Sequence, residues 1–200
     1  LTFVIATCLY PIRASSYTWN IYVVIIALAC GLALGLMKLM VGKAIQKGPS
    51  SLTFATVNSA SVLPAIIIAL TFGTFIDFKY SLWNFLGSAL VIFGLFWAVQ
   101  ERLKAPYRKR WLFFAAAAFI LQMVYLVLTQ SHVLIMREDL LYSTSQSEWF
   151  FPLVFMAAAC LHLILYCITE RRMPCASEIY WGTLGGLFNG ACAFFFMYSA

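Results

Sequence analysis

Residues 48–76 read GPSSLTFATVNSASVLPAIIIALTFGTFI and carry no charged side chain. The stretch is long enough to cross about 30 Å of hydrocarbon, which needs roughly 20 helical residues. Asn58 and Ser61 lie three residues apart near its middle, on one helical face of small or polar residues. Pro64 removes a backbone hydrogen bond at the same depth and frees an acceptor that lipid cannot satisfy. We therefore predict a span that bends near residues 60–64 and turns this face toward other helices or a cavity.

The composition of the chain agrees with a membrane environment. Hydrophobic residues make up 64% of the 200 residues and charged residues 10%, whereas soluble domains contain about 25% charged residues. The charges cluster between long uncharged runs, which predicts an all-α, polytopic membrane helix bundle. The net charge of +6 does not indicate nucleic-acid binding, because most basic residues lie in short segments between these runs. The six cysteines form no CxxC pair, so neither a disulfide nor a zinc framework is expected.

The uncharged runs predict six complete spans and the end of a truncated helix before them. The truncated helix covers residues 1–12, and the complete spans cover residues 15–37, 48–76, 80–100, 111–136, 149–169 and 179–200. Because hydrophobic sequence continues to both ends of the chain, we interpret it as a fragment of a longer protein.

The basic residues alternate from one loop to the next. Ten of the 13 Lys and Arg residues lie in the segments 38–47, 101–110 and 170–177, and the intervening segments hold only Arg13, Lys79 and Arg137. An excess of Lys and Arg marks the cytoplasmic side of a membrane protein. We therefore predict that the three basic segments face the cytoplasm and that the central span runs outward.

Several short motifs resemble those of the drug/metabolite transporter superfamily, particularly its EamA-type members. They are Pro49-Ser50-Ser51 and Ser59-Ala60-Ser61 with Pro64, the stretch from Trp83 through Gly87 to Gly94, and the stretch from Gly182 through Gly190 to Ala200. In addition, Gly31–Gly35 and Gly186–Gly190 share a G-L-x-x-G pattern, at positions that a five-helix repeat would match.

The resemblance implies a ten-helix protein made of two five-helix inverted repeats. Residues 1–100 would then be the end of the first repeat, residues 101–110 a basic linker, and residues 111–200 the start of the second repeat. It also implies transport of a small neutral or zwitterionic metabolite by alternating access. We expect the protein in the plasma (inner) membrane, in contact with membrane lipid and a small-molecule substrate and without nucleic acid.

Polar side chains inside the predicted spans are the candidates for a substrate path. Gln122, Tyr125, Thr129 and His132 recur on one face of the span 111–136, where polar groups need partners. This face has two interpretations, hydrogen bonding between helices and contact with substrate. The complete candidate set is Asn58, Ser61, Pro64, Gln122, Tyr125, Thr129, His162 and Asn189.

Two of these candidates have a structural alternative of their own. His162 lies at mid-span and is either a titratable functional group or a neutral histidine bonded to a neighbouring helix. Asn189 shares a face with Gly182, Gly185 and Gly186, which equally fits close packing of two helices.

The sequence gives no indication of an enzyme. It contains no catalytic triad, phosphate-binding loop or metal-ligand cluster, and no Asp, Glu, Lys or Arg lies deep in a predicted span. We therefore expect no enzymatic activity, no cofactor and no metal, and a substrate without strong net charge. The alternative to a transporter is a structural or accessory membrane protein of the same fold that does not transport.

Overall fold

The computed structural model describes residues 8, 21–61, 66, 81–102, 108–137 and 149–199. These residues contain six helices and no strand, which confirms the prediction of an all-α protein for this part of the chain. The helices are α1 (Ile21–Lys47), α2 (Ser50–Ser59), α3 (Leu82–Arg102), α4 (Arg108–Arg137), α5 (Phe150–Thr169) and α6 (Ala176–Ser199).

Three stretches in the described part of the chain are long and apolar enough to cross a membrane. They are Ile21–Lys47, Lys109–His132 and Phe150–Thr169. They correspond to three of the six predicted spans and support a membrane helix bundle. The ten-helix repeat, and with it the division of the chain at residues 101–110, stays a prediction.

Helix α1 is longer than the sequence predicted. The predicted span ends at residue 37, whereas the helix continues through Lys38 and Lys43 to Lys47. Lysine is a good helix former, and its long side chain can carry the ammonium away from the hydrocarbon while the backbone stays helical. The helix ends before Gly48-Pro49, where proline disfavours helical geometry in the preceding residue. The assignment of these lysines to a loop was therefore wrong.

The central span is helical at its start. Helix α2 ends at Ser59, and the next amides bond only three residues back, from Ala60 to Val57 O (3.1 Å) and from Ser61 to Asn58 O (3.2 Å). Such tightening of the last turn is common at the C-terminal end of an α-helix. Pro64 itself, and the bend predicted there, lie outside the described residues.

The chain divides into two compact units, residues 1–35 with 132–200 and residues 36–131. In the first unit, α1 packs closely on α5. A Cβ placed on Gly31 would collide with the carbonyl oxygen of Val154 and lie 2.6 Å from Cβ of Ala157. One turn later, a Cβ on Gly35 would lie 2.9 Å from Cδ2 of Leu161. Glycine therefore permits the close approach of these two helices.

The second unit is held together at the junction of α1, α2 and α4. Ala44, Leu52, Trp111 and Ala115 form a buried apolar cluster on which Phe114 packs. Helix α2 also packs against α3. Most described side chains of α3 are exposed, including Trp83 and Phe93, as expected of a helix surface that faces lipid.

The α5–α6 connection contains the one non-glycine residue with positive φ among those described. Helix α5 ends with Glu170 as its C-cap, and Arg171 follows with φ of 49°, the left-handed conformation that commonly terminates a helix. Helix α6 then begins at Ala176, three residues before the predicted start of the last span. The earlier start is explained by Glu178, whose carboxylate accepts a hydrogen bond from the Cys175 amide (2.9 Å).

Candidate functional site

The polar face of α4 lies on the buried side of that helix. Ala115 and Ala118 are fully buried, and Thr129 is 2% exposed. Gln122 and Tyr125, which lie between them on the same face, are half-buried. This face is therefore directed toward protein rather than lipid, which is the direction predicted from its composition.

Two residues of this face are linked by a hydrogen bond within the helix. The Thr129 hydroxyl donates to the carbonyl oxygen of Tyr125 at 2.8 Å, a common way for threonine to satisfy its donor inside a helix. The bond uses the hydroxyl hydrogen of Thr129. The bond fixes the orientation of the Thr129 hydroxyl within α4.

Gln122 carries an unsatisfied polar group on this face. Its side-chain oxygen Oε1 is buried and has no hydrogen-bond partner among the described residues. A buried amide without a partner costs about 1–3 kcal/mol relative to one that is hydrogen-bonded. The oxygen can accept a hydrogen bond from the N–H or O–H of a ligand or from water, but it cannot bind an anion.

The first unit contains two further buried polar groups that, like the Gln122 oxygen, have no hydrogen-bond partner among the described residues. The His132 imidazole stacks on the Phe150 ring with centroids 3.8 Å apart and an interplanar angle of 11°. His132 is 4% exposed, and its Nε2 has no partner among the described residues. The buried hydroxyl of Tyr166 is also without a partner in that part of the chain. His132 belongs to the predicted polar stripe, whereas the sequence did not single out the Tyr166 hydroxyl.

The two described candidates in the central span are more exposed than those of α4. Asn58 is exposed near the end of α2, and Ser61 is exposed with its hydroxyl donating to Asn58 O at 2.7 Å. Pro64 lies outside the described residues. The Ser61 bond satisfies a carbonyl at the end of α2, as expected of a hydroxyl beside an interrupted helix.

The two remaining candidates lie in α5 and α6. His162 is half-buried in α5. Asn189 is exposed, and its amide donates to the carbonyl oxygen of Gly185 at 2.8 Å, within its own helix. Among the described residues no atom lies within 4 Å of a Cβ placed on Gly182 or Gly185. The role of these two candidates in a substrate path stays a prediction.

The structure shows one buried polar contact that the sequence did not indicate. The indole Nε1–H of Trp111 donates to the Thr53 hydroxyl at 2.9 Å, and that hydroxyl in turn donates to Pro49 O at 3.0 Å. Gly48 lies against the same indole, with no room for a side chain. The contact joins α4 to the start of α2. Its partners are separated by 58 residues, so no local spacing in the sequence could have revealed it.

A second polar contact lies in the α5–α6 connection. Arg172 donates to both carboxylate oxygens of Glu178, at 3.0 and 2.6 Å, and its Nε lies 3.4 Å from Glu170. The hydrogen bond from Arg172, together with that from the Cys175 amide, lowers the pKa of Glu178 to about 2. The same carboxylate raises the pKa of Arg172. Both groups are therefore charged at neutral pH, and the pair orders the connection outside the hydrocarbon.

The described side chains form no cluster of three or more His, Cys, Asp or Glu residues that could hold a metal ion. The buried polar groups are an amide, hydroxyls and an imidazole. Such groups can bind a neutral or zwitterionic molecule through hydrogen bonds. They include no charged side chain that would hold a strongly charged one.

Comparisons of the chain with protein-family models, with curated proteins and with solved structures gave no match. The described part of the chain defines the class of protein: it is α-helical and contains three helices able to span a membrane. The relationship to the drug/metabolite transporter superfamily stays a prediction from the sequence.

Proposed function

We propose that the chain is part of an EamA-type drug/metabolite transporter that moves small neutral or zwitterionic metabolites across the membrane by alternating access. The observation that carries this proposal is the buried Oε1 of Gln122, which has no partner among the described residues and lies in a helix able to span a membrane. A polar group in this position favours a function that supplies its missing partner, such as a substrate or water. The plasma (inner) membrane and the ten-helix architecture with two inverted repeats are parts of the same proposal.

The chemistry of the face of α4 agrees with this substrate class. The side-chain oxygen of Gln122 is an acceptor without charge, which suits the hydroxyl and amino groups of a metabolite. A packing role requires that polar atoms find protein partners, and the Gln122 oxygen has found none among the described residues.

Uptake into liposomes that contain the purified protein tests the proposal. Radiolabelled zwitterionic amino acids and neutral sugars serve as substrates, and Gln122→Leu is compared with Gln130→Leu. Gln130 is also half-buried in α4 but lies about 80° around the helix from Gln122. We expect Gln122→Leu to reduce uptake about tenfold or more, since a lost hydrogen bond of about 1.4 kcal/mol corresponds to one order of magnitude.

The same assay distinguishes the alternative of a structural or accessory protein. That alternative predicts no protein-dependent uptake of any substrate. It also predicts that Gln122→Leu stabilises the protein, because the substitution removes an unsatisfied buried amide. Uptake that is unchanged by Gln122→Leu would remove this residue from the substrate path.

A further inference from the structure

Four exposed cations lie near one end of the second unit. Lys43 and Lys47 are in the last turns of α1, and Lys109 and Arg110 are in the first turn of α4. The two pairs come from segments more than 60 residues apart in the sequence. A charge rule for membrane orientation requires only that such residues occur in the correct loops. It does not require that two helix ends bring them to the same place.

Packing between α1 and α4 brings the two pairs together. Nζ of Lys43 lies 5.8 Å from the centroid of the Phe114 ring, and Gly48 lies directly against the Trp111 indole. The two helices therefore run antiparallel here, with increasing residue number in α1 matched by decreasing number in α4. Lys47 immediately precedes Gly48, and Arg110 immediately precedes Trp111. Lys47 and Arg110 consequently lie at the same level, one turn beyond the Lys43–Phe114 contact.

These cations have no acidic residue on their own segments. The sequence contains no Asp or Glu between residues 38 and 76 or between residues 102 and 137. Lys43 lies over an aromatic ring, a contact that leaves its ammonium free to donate hydrogen bonds. No acidic side chain on these two segments therefore competes with an external anion for this positive charge.

The start of α2 adds hydrogen-bond donors at the same place. The Trp111–Thr53 bond holds the first turn of α2 beside Trp111. Its N-cap residue is Pro49, which makes no side-chain capping bond to the amides of that turn. These amides and the positive end of the helix dipole favour an anion. Cationic side chains together with the amides of a helix N-terminus are the chemistry that recognises a phosphate group.

The side chains that follow Arg110 in the sequence indicate whether the phosphate belongs to a soluble compound or to a lipid. Leu112 and Phe113 are 41% and 67% exposed immediately after Arg110, and they lie at the start of a stretch apolar enough to cross a membrane. A ligand here meets cations at one end and an exposed apolar surface at the other. A soluble phosphate compound uses only the first of these features, whereas a phospholipid uses both.

We propose that this end of α1 and α4 binds the headgroup of an anionic phospholipid. The phosphate oxygens accept hydrogen bonds from Lys47, Arg110 and the first-turn amides of α2, and the acyl chains lie along Leu112 and Phe113. Lys43 and Lys109 contribute positive charge around the headgroup. This binding is independent of the proposed transport activity.

Native mass spectrometry of the purified chain with added phosphatidylglycerol tests the proposal. We expect the Lys47→Gln/Arg110→Gln double variant to bind phosphatidylglycerol about thirty-fold more weakly, because each Lys or Arg near an anionic lipid surface contributes about a factor of five. The single variant Lys47→Gln should lose about fivefold. Binding of phosphatidylcholine should not change. Lys38→Gln is the matched control, since Lys38 is exposed on α1 about 140° from Lys43.

The outcomes separate the possible sources of the anion. If Lys38→Gln and Lys47→Gln weakened phosphatidylglycerol binding equally, the proposal would be overturned. The lipid would then respond to the net charge of the protein and not to a particular site. Displacement of the lipid by a few millimolar inorganic phosphate would assign the site to soluble phosphate compounds instead. Insensitivity to phosphate, with weaker binding in both Lys47 variants and not in Lys38→Gln, would support the lipid site. Uptake assays play no part in this measurement, so it is decided separately from transport.

Discussion

The close contact between α1 and α5 predicts how three glycines of one helix respond to the same substitution. Gly31, Gly35 and Gly42 all lie in α1, and each can be replaced by alanine. At Gly31 the added Cβ would meet the carbonyl oxygen of Val154 and the Cβ of Ala157, neither of which can rotate away. At Gly35 the nearest atom is the terminal Cδ2 of Leu161, which can move. At Gly42 no described atom lies within 4 Å.

The change in unfolding free energy on each Gly→Ala substitution is the sum of two opposing contributions. Alanine is favoured over glycine in a helix interior by about 1 kcal/mol, and this gain is common to all three positions. Forcing an extra methyl group into a packed contact costs about 1–3 kcal/mol. The difference in unfolding free energy between Gly42→Ala and Gly31→Ala therefore isolates the steric cost. We expect Gly31→Ala to be less stable than Gly42→Ala by about 1–3 kcal/mol, with Gly35→Ala between them.

Reversible unfolding in mixed micelles of neutral detergent and dodecyl sulfate measures these differences, with far-UV circular dichroism as the signal. Each variant is compared with the wild-type protein at the same detergent ratio. Gly42→Ala is the internal control, because it changes helix propensity without adding a contact. Equal stability of Gly31→Ala and Gly42→Ala would refute the reasoning, since it would mean that α1 and α5 are not in backbone contact at Gly31.

Three further predictions concern other parts of the molecule. Thr53→Val leaves the buried Trp111 indole donor without its partner and should reduce the unfolding free energy by about 1–3 kcal/mol in the same micelles. Arg172→Gln should move the pKa of Glu178 from about 2 back toward its ordinary value of 4.5, which NMR titration of ¹³C-labelled glutamate measures. Cysteines introduced into residues 101–110, in a variant without native cysteines, should not react with an impermeant thiol reagent added outside the cell.

Each of these predictions has its own control or contrary result. Thr56→Val removes only a bond to Leu52 O within α2, so a loss as large as that of Thr53→Val would show that the Trp111 bond is not responsible. Because the folded-state pKa of Glu178 is depressed, its contribution to stability is present above about pH 4.5 and is lost as the pH falls toward 2. An unchanged titration in Arg172→Gln would contradict this assignment. Strong labelling of residues 101–110 from outside would reverse the predicted orientation.

Part of the fold follows from local properties of the sequence. Long uncharged runs predict membrane-spanning helices because the free energy of transferring each residue from water into hydrocarbon depends mainly on its own side chain. The polar face of α4 could be predicted to lie on the buried side for the same reason. Placing the side chains of Gln122 and Thr129 in lipid costs free energy whatever the arrangement of the neighbouring helices. Local signals were less accurate at the helix ends. The lysines that follow residue 37 reduce hydrophobicity without ending the helix, and α1 continues to Lys47.

Which small residues form a contact was decided by the tertiary structure. Gly31 and Gly35 lie against α5, whereas Gly87 and Gly94 in α3, with equally suitable spacing, have no described atom within 4 Å of a Cβ. A small-residue pattern permits close approach but does not specify a partner. The same holds for the candidate sites. The sequence identifies Gln122 as polar and deep, but only the arrangement of neighbouring helices determines that its oxygen is buried and finds no partner in the described part of the chain.

The sequence by itself determined that this chain is an α-helical membrane protein and which helix faces carry its polar groups, because hydropathy and helical periodicity are properties of single segments. The tertiary structure decided the contacts between segments. Trp111 meets Thr53 and Gly48, and Lys43 meets Phe114, through packing of residues far apart in the chain. Such pairings depend on shape complementarity between whole helices, which no local pattern of residues encodes.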